Sequence, residues 1–280
     1  MNVEEFKEIQ KWLTSVKKSS AKQYIYNMKR FCEYFDVTPP EIITIAENDK
    51  IEIKVMLNTF YNHLREEGKS ANYAAFNESA VKSFLRFYDI IIQTKRRTPR
   101  KYERETLRKE HIRQLVDSTK HIREKAIFTL GFQTGISISD IVNLDYGDVR
   151  QALEGDEDAY IVKYVRKKTD TEAEFVLGRD TIQYLRKYIQ WRQQQVEEIT
   201  DTSPLFVTVR KYKSEWRRVS VRSVQHNVRK TIIRAGLATA EELEKYGTFN
   251  PFSMHAVRKG FSSVAEAYGM PHSQIEESMG

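Results

Sequence analysis

The apolar positions fall first into helical periods. Phe6, Ile9, Leu13 and Val16 recur at steps of three and four in EEFKEIQKWLTSV, and Tyr24, Met28, Phe31 and Phe35 extend the pattern through SSAKQYIYNMKRFCEYF. Such spacing gathers each set on one helical face. The two prolines of DVTPPEIITI interrupt the run, since proline cannot continue a helix it does not begin. IEIKVMLNTFYNHLREEG then predicts a third amphipathic helix stopped by Gly68, and SANYAAFNESAVKSFLRFYDIII a fourth. The aromatic stripes on these helices read as core.

The texture changes at TKRRTPRKYERETLRK. Residues 95 to 109 carry eight basic side chains against two acidic ones, so most of the chain's formal charge of +7 can be assigned to them. A charged, proline-containing stretch behind a helical block predicts a linker, placed here at 93–108, between a domain at 1–92 and another at 109–280. Two readings of its charge stand side by side: a solvated tether, or a segment that contacts phosphates.

Beyond the linker, KEHIRQLVDSTKHIREKAIFTLGFQTG predicts two helices, the second ending at Gly135. ISISDIVNLDYGDV follows with Ile136, Ile138, Ile141 and Leu144 apolar. DAYIVKYVRK and EAEFVLG alternate around KTDT as a β-hairpin would. DTIQYLRKYIQWRQQQV returns to helix, SPLFVTV predicts a short strand, and VRSVQHNVRKTIIRAG is helical up to Gly236. SMHAVRKGFSSVAEAYG and PHSQIEESMG close the sequence with helical patterns. The fold class expected is mainly α with a small β-hairpin.

Composition narrows the function classes. The 280 residues are 40% hydrophobic, enough for one large or two medium cores, and this excludes disordered and collagen-like chains. Cys32 is the single cysteine, so no intrachain disulfide can form, and a reducing cytoplasm is the expected setting. No run of about 18 apolar residues suggests a membrane span. The positive charge favours polyanionic partners, above all nucleic acid. No carboxylate or Cys/His cluster asks for a metal, and no cofactor is expected.

The candidate chemistry centres on SMHAVRKGF. His255 and Arg258, three apart, share a helical face, whereas Lys259 points about 100° away. Alone, such a pair is a common surface feature. It gains meaning from order: TGISISD at residues 134–140, the hairpin RKKTDTEAEFVL, HAVR at 255–258, and IEESMG at 275–280. This succession resembles the tyrosine recombinase family, the phage-integrase-like enzymes that cut and rejoin DNA through a 3′-phosphotyrosine.

The resemblance implies a helical core-binding domain at 1–92 and a catalytic domain at 109–280, closing on double-stranded DNA as a clamp and self-associating on it. It implies that Arg258 clamps the scissile phosphate and that His255 hydrogen-bonds it or manages a proton. Lys168, with Lys167 as the alternative, would protonate the departing 5′ oxygen. Fixed cationic donors suit a site where negative charge develops without a metal.

Two departures qualify this. Ser137 stands in TGISISD where the family usually has its first clamp arginine, and a serine hydroxyl cannot bring a positive charge; Lys259 or Arg166 is the expected substitute. Asp140 takes the acidic position that follows and is expected to brace the site. The sequence also stops before the position of the family's tyrosine, and Tyr268 is expected to be a packing residue. The 280 residues are therefore expected to bind DNA without the usual cleavage. The alternative is a noncatalytic DNA-binding protein of recombinase fold, and a tyrosine encoded about one helix beyond codon 280 would favour the enzyme.

For DNA contact the resemblance singles out Lys95, Arg96, Arg97, Arg100 and Lys101 in the linker, and Lys211, Arg217, Arg218 and Arg222 in a second basic cluster. Lys22, Lys29, Arg30, Asn72 and Lys82 are further candidates in the first domain.

Overall fold

The structure is a computed structural model, and it describes residues 1–94, 96, 103, 105–167, 169–195, 198–212, 215–246 and 249–279, apart from the side chain of Ser19. Of the proposed site residues, Lys95, Arg97, Arg100, Lys101 and Lys168 lie outside the described set. The chain forms two compact units, Met1–Lys101 and Tyr102–Gly280, each with its own buried apolar cluster.

The first unit holds a short 3-10 turn and five helices: α1 (Lys7–Leu13), α2 (Lys18–Phe35), α3 (Pro39–Asn48), α4 (Lys50–Glu66) and α5 (Ala71–Phe87). Its core gathers Trp12, Met28, Phe31, Leu57, Phe60 and Phe84; of the positions marked by period, Ile9, Met28 and Phe31 are buried, and Phe6, Leu13, Val16, Tyr24 and Phe35 pack partly buried against them. The prolines do more than interrupt. Asp36, in the left-handed region at φ 52°, ends α2, and Pro39 and Pro40 open α3. Proline suits a helix's first turn because its missing N–H would have no partner there. The Glu41 carboxylate accepts the Thr38 N–H at 2.7 Å and completes the cap.

The second unit runs α6 (Lys109–Ser118), α7 (Ile122–Thr134), α8 (Ile138–Asn143), α9 (Tyr146–Glu154), β1 (Ala159–Arg166), β2 (Thr171–Gly178), α10 (Arg179–Gln194), α11 (Val221–Arg234), α12 (Ala240–Lys245), α13 (Met254–Ala267) and α14 (His272–Met279). Helix α7 is its axis: it packs on α6, α10, α13 and β2, and is buried on several sides. A left-handed Gly135, φ 66°, ends it. The observed class, mainly helical with one two-stranded antiparallel sheet, is the class expected from sequence.

SPLFVTV departs from expectation. Among the described residues it forms no regular strand, only single bridges, Asp145 to Pro204 and Val207 to Arg218. Three of its carbonyls are taken by two buried guanidinium groups, while backbone N–H groups of Tyr146 and Val219 take Ser203 O at 2.8 Å and Phe206 O at 2.9 Å. Arg192 Nη1 donates to Pro204 O at 2.7 Å and Leu205 O at 3.0 Å, and Arg123 Nη1 donates to Val207 O at 2.7 Å. Leu205, Phe206 and Val207 are buried, and guanidinium donors together with single backbone bonds replace a regular ladder.

The basic stretch is fastened at both ends. Thr94 and Arg96 bond to Glu78 in the first unit, while Glu105 N donates to Pro251 O at 3.0 Å and Leu107 joins the second core. No helix among the described residues is long and apolar enough to cross a membrane.

Candidate functional site

Strand periodicity builds the site's hairpin side. In β1, Val162 and Tyr164 turn inward while Ile161 and Val165 are exposed, and Arg166 continues the inward parity. The strand therefore delivers a guanidinium to the end of the hairpin's buried face. There Arg166 Nη2 lies 3.3 Å from Asp140 Oδ2 and donates to Met279 O at 2.5 Å; its Nε reaches the Tyr164 hydroxyl at 3.4 Å.

Asp140 sits in the first turn of α8 and is only 6% exposed. Ser137 is the N-cap of that helix: its Oγ accepts the Asp140 N–H at 3.2 Å, donates to Asp140 Oδ2 at 2.7 Å, and lies 2.6 Å from Ser139 Oγ. The serine thus orients the carboxylate, which in turn holds the hairpin arginine.

Helix α13 supplies the third side. His255, in its first turn, is exposed; Arg258, one turn on, is half-buried, and Lys259 is exposed. Burial pulls the Arg258 guanidinium below its ordinary pKa, repulsion from Arg166 lowers it further, and Asp140 and Tyr164 oppose the shift. For Arg166, burial pulls in the same direction, but the Tyr164 hydrogen bond and the attraction of Tyr164 and Asp140 leave it raised. Burial also pushes the Tyr164 phenol up, so it stays protonated at neutral pH. Ser137, Asp140, Arg166 and Arg258 are thereby brought into one electrostatic neighbourhood.

Tyr164 belongs to this group and was not singled out from sequence. Its inward parity in β1, two residues before Arg166, was the available signal. Lys167 pairs with Asp145 at 3.3 Å. Tyr268, the C-cap of α13, is 87% exposed, unlike the packing residue expected. Among the described residues no His, Cys, Asp and Glu group could hold a metal ion.

The candidate DNA-contact cations divide by their partners. Arg96 lies 2.7 Å from the buried Glu78 through Nε, with its guanidinium 4.2 Å from the Tyr61 ring centroid. Lys82 shares Glu78 at 3.2 Å, Arg30 pairs with Glu67 at 3.0 Å, and Lys29 with Glu33 at 3.6 Å. Arg218 is bound to Asp145 and donates to Val142 O at 2.9 Å and Leu144 O at 2.8 Å, closing the end of α8. Lys22 and Asn72 are exposed. So are Lys211, Arg217 and Arg222, the first two flanked by rings: Lys211 Nζ is 5.6 Å from the Trp216 centroid and Arg217 Cζ 3.9 Å from that of Tyr212.

Arg96→Ala is therefore expected to act first on stability. Removing a charged hydrogen bond from a buried carboxylate costs about 1.5 to 3 kcal/mol, and hydrogen exchange along α5 should quicken to match. Unchanged exchange there would remove the structural role.

Comparison with known proteins adds the family. The model of the phage integrase family matches residues 105–280. No curated protein matches the chain. Among solved structures, the Tn1549 transposon integrase in complex with transposon right end DNA is 13% identical, with a TM-score of 0.65 over 100% of this chain and 91% of that one. The XerH site-specific recombinase bound to its difH substrate is 15% identical, with a TM-score of 0.62 over 93% and 73%. A lambda integrase tetramer bound to a Holliday junction is 15% identical, with a TM-score of 0.59 over 97% and 75%. At these identities the structures speak for the fold, whereas the family model covers well over half of the chain: it belongs to the phage integrase family of tyrosine recombinases.

Proposed function

We propose that the protein is a site-specific DNA recombinase or integrase that acts on double-stranded DNA through a 3′-phosphotyrosine. The observation that carries this is Arg258: a half-buried guanidinium on α13, within the field of the buried Asp140, with His255 exposed one turn before it. A cation held in place before its ligand arrives loses little freedom on binding, and it stabilises charge that develops on a phosphodiester. Arg258 would clamp the phosphate and His255 would bond to it or move its proton. Lys168 would serve the departing oxygen. The first unit and the exposed Lys211, Arg217 and Arg222 would hold the duplex, and copies would assemble on it. Such work places the protein with the cell's DNA in the cytoplasm.

A second reading, DNA binding without cleavage, is favoured by Ser137, whose hydroxyl is spent on capping α8. Two tyrosines accompany these motifs, and neither suits the role of nucleophile. Tyr164 is buried and held protonated, and Tyr268 is at the far end of α13 from His255. On this second reading the protein binds duplex without forming a covalent adduct.

One experiment addresses both readings. Binding of residues 1–280 to a duplex is measured across a salt series, and the mixture is then denatured to reveal protein–DNA adducts. Log affinity should fall steeply with log salt, and alanine at Lys211, Arg217 and Arg222 should reduce the slope by about 0.9 for each phosphate no longer neutralised. Salt-insensitive binding would remove the DNA reading, and a tyrosine-linked adduct would overturn the second reading in favour of the first.

A further inference from the structure

We propose that Arg166 supplies, from the hairpin, a second guanidinium of the phosphate clamp beside Arg258, and that its ligand is a DNA phosphodiester. The inference rests on the DNA reading above and decides between the two cations weighed for the place of the missing arginine.

Three observations carry it. Inward parity brings Arg166 onto the buried face of β1, where its Nη2 meets Asp140 Oδ2 at 3.3 Å. That same oxygen receives the Ser137 hydroxyl at 2.7 Å, so the residue standing where a cation was expected instead fixes the carboxylate that holds Arg166. Helix α13 passes the same turn, with Phe261 against Gly135 and Val257 against Gly131, so Arg258 stands on the helix that packs beside Ser137 and Asp140; there Arg166 repels it and Asp140 attracts it. An anion that reaches both relieves this repulsion. A phosphodiester brings that negative charge and offers the two unesterified oxygens that forked donors match.

Lys259, the other candidate, is exposed and adjacent in sequence to Arg258, which turns it about 100° away on the helix. Arg166 is instead held by Asp140, whose helix start lies against α13, and by Tyr164. A role confined to bracing Asp140 would make Arg166 purely structural. The distinction is measurable, because a brace changes affinity equally at all salt concentrations, whereas a phosphate contact changes the salt slope.

The test compares wild-type protein, Arg166→Ala and Arg166→Lys across a salt series on one duplex, with thermal melting of each as a folding check. Arg166→Ala should lower the slope by about 1. Arg166→Lys keeps the charge without the fork, and should retain the wild-type slope with weaker binding. A wild-type slope in Arg166→Ala overturns the proposal. Should Arg166→Ala fail to fold, Arg166→Gln decides, since it removes the charge and keeps hydrogen-bond donors: a wild-type slope in that variant overturns the proposal. Salt-insensitive binding by the wild-type protein is a separate outcome, in which the DNA reading fails first and takes this inference with it.

Discussion

Gly260→Ala is expected to lower the unfolding free energy by about 3 kcal/mol or more, beyond the usual overpacking penalty. A Cβ at this position would lie 2.0 Å from Leu107 O and 3.2 Å from Phe132 Cε2. The first of these is backbone, in a segment pinned by the bond from Glu105 N to Pro251 O and by burial of the Leu107 side chain. Neither side can yield cheaply, so α13 must lift. Arg258 rides on the same helix two residues earlier, so DNA affinity should fall together with stability. Gly131 offers the contrast: its added Cβ would meet the end of the flexible Met254 side chain at 2.6 Å, which can swing aside. Urea unfolding should rank Gly260→Ala well below Gly131→Ala, and equal midpoints would show that the segment before α6 gives way freely.

Arg123→Ala should cost about 3 to 5 kcal/mol, the usual consequence of leaving one member of a buried ion pair behind. Arg123 is 1% exposed and Glu124 is 6% exposed. Arg123 Nε donates to Glu124 Oε1 at 3.0 Å, and Asn227 Nδ2 reaches the same oxygen at 2.8 Å. Truncation strands the carboxylate and also leaves Val207 O without its 2.7 Å donor. Arg123→Met combined with Glu124→Gln removes both charges and should be milder than Arg123→Ala alone. If urea unfolding finds the double variant as damaged as the single one, the loss lies in packing or at Val207 rather than in the stranded charge.

The helices of the first unit were legible because each is long enough to repeat its period, and the hairpin because its strands alternate. Helices α8 and α12, six residues each, complete fewer than two turns and leave no period to read. Proline was read only as an interruption, although Thr38, two prolines and Glu41 spell a helix start. SPLFVTV read as a strand from its apolar run, but nothing in it shows that Arg123 and Arg192 take three of its carbonyls, since those partners lie elsewhere in the chain. The site divides in the same way. His255 and Arg258 were visible through their spacing, whereas the pairing of Arg166 with Asp140 depends on where a hairpin ends against a helix start. Arg96 and Arg218 looked like free cations because the sequence does not display Glu78 or Asp145 beside them.

Ser137 also limits which charges this corner can take. As the N-cap of α8 it satisfies a backbone donor, and losing such a cap costs about 0.5 to 2 kcal/mol. An arginine at position 137 would forfeit that cap and crowd a third guanidinium around Asp140 while Arg166 remains. Ser137→Arg alone should therefore lower the melting temperature, and pairing it with Arg166→Ala should relieve the crowding while leaving the lost cap uncompensated: adding charge at this corner weakens the scaffold that carries it.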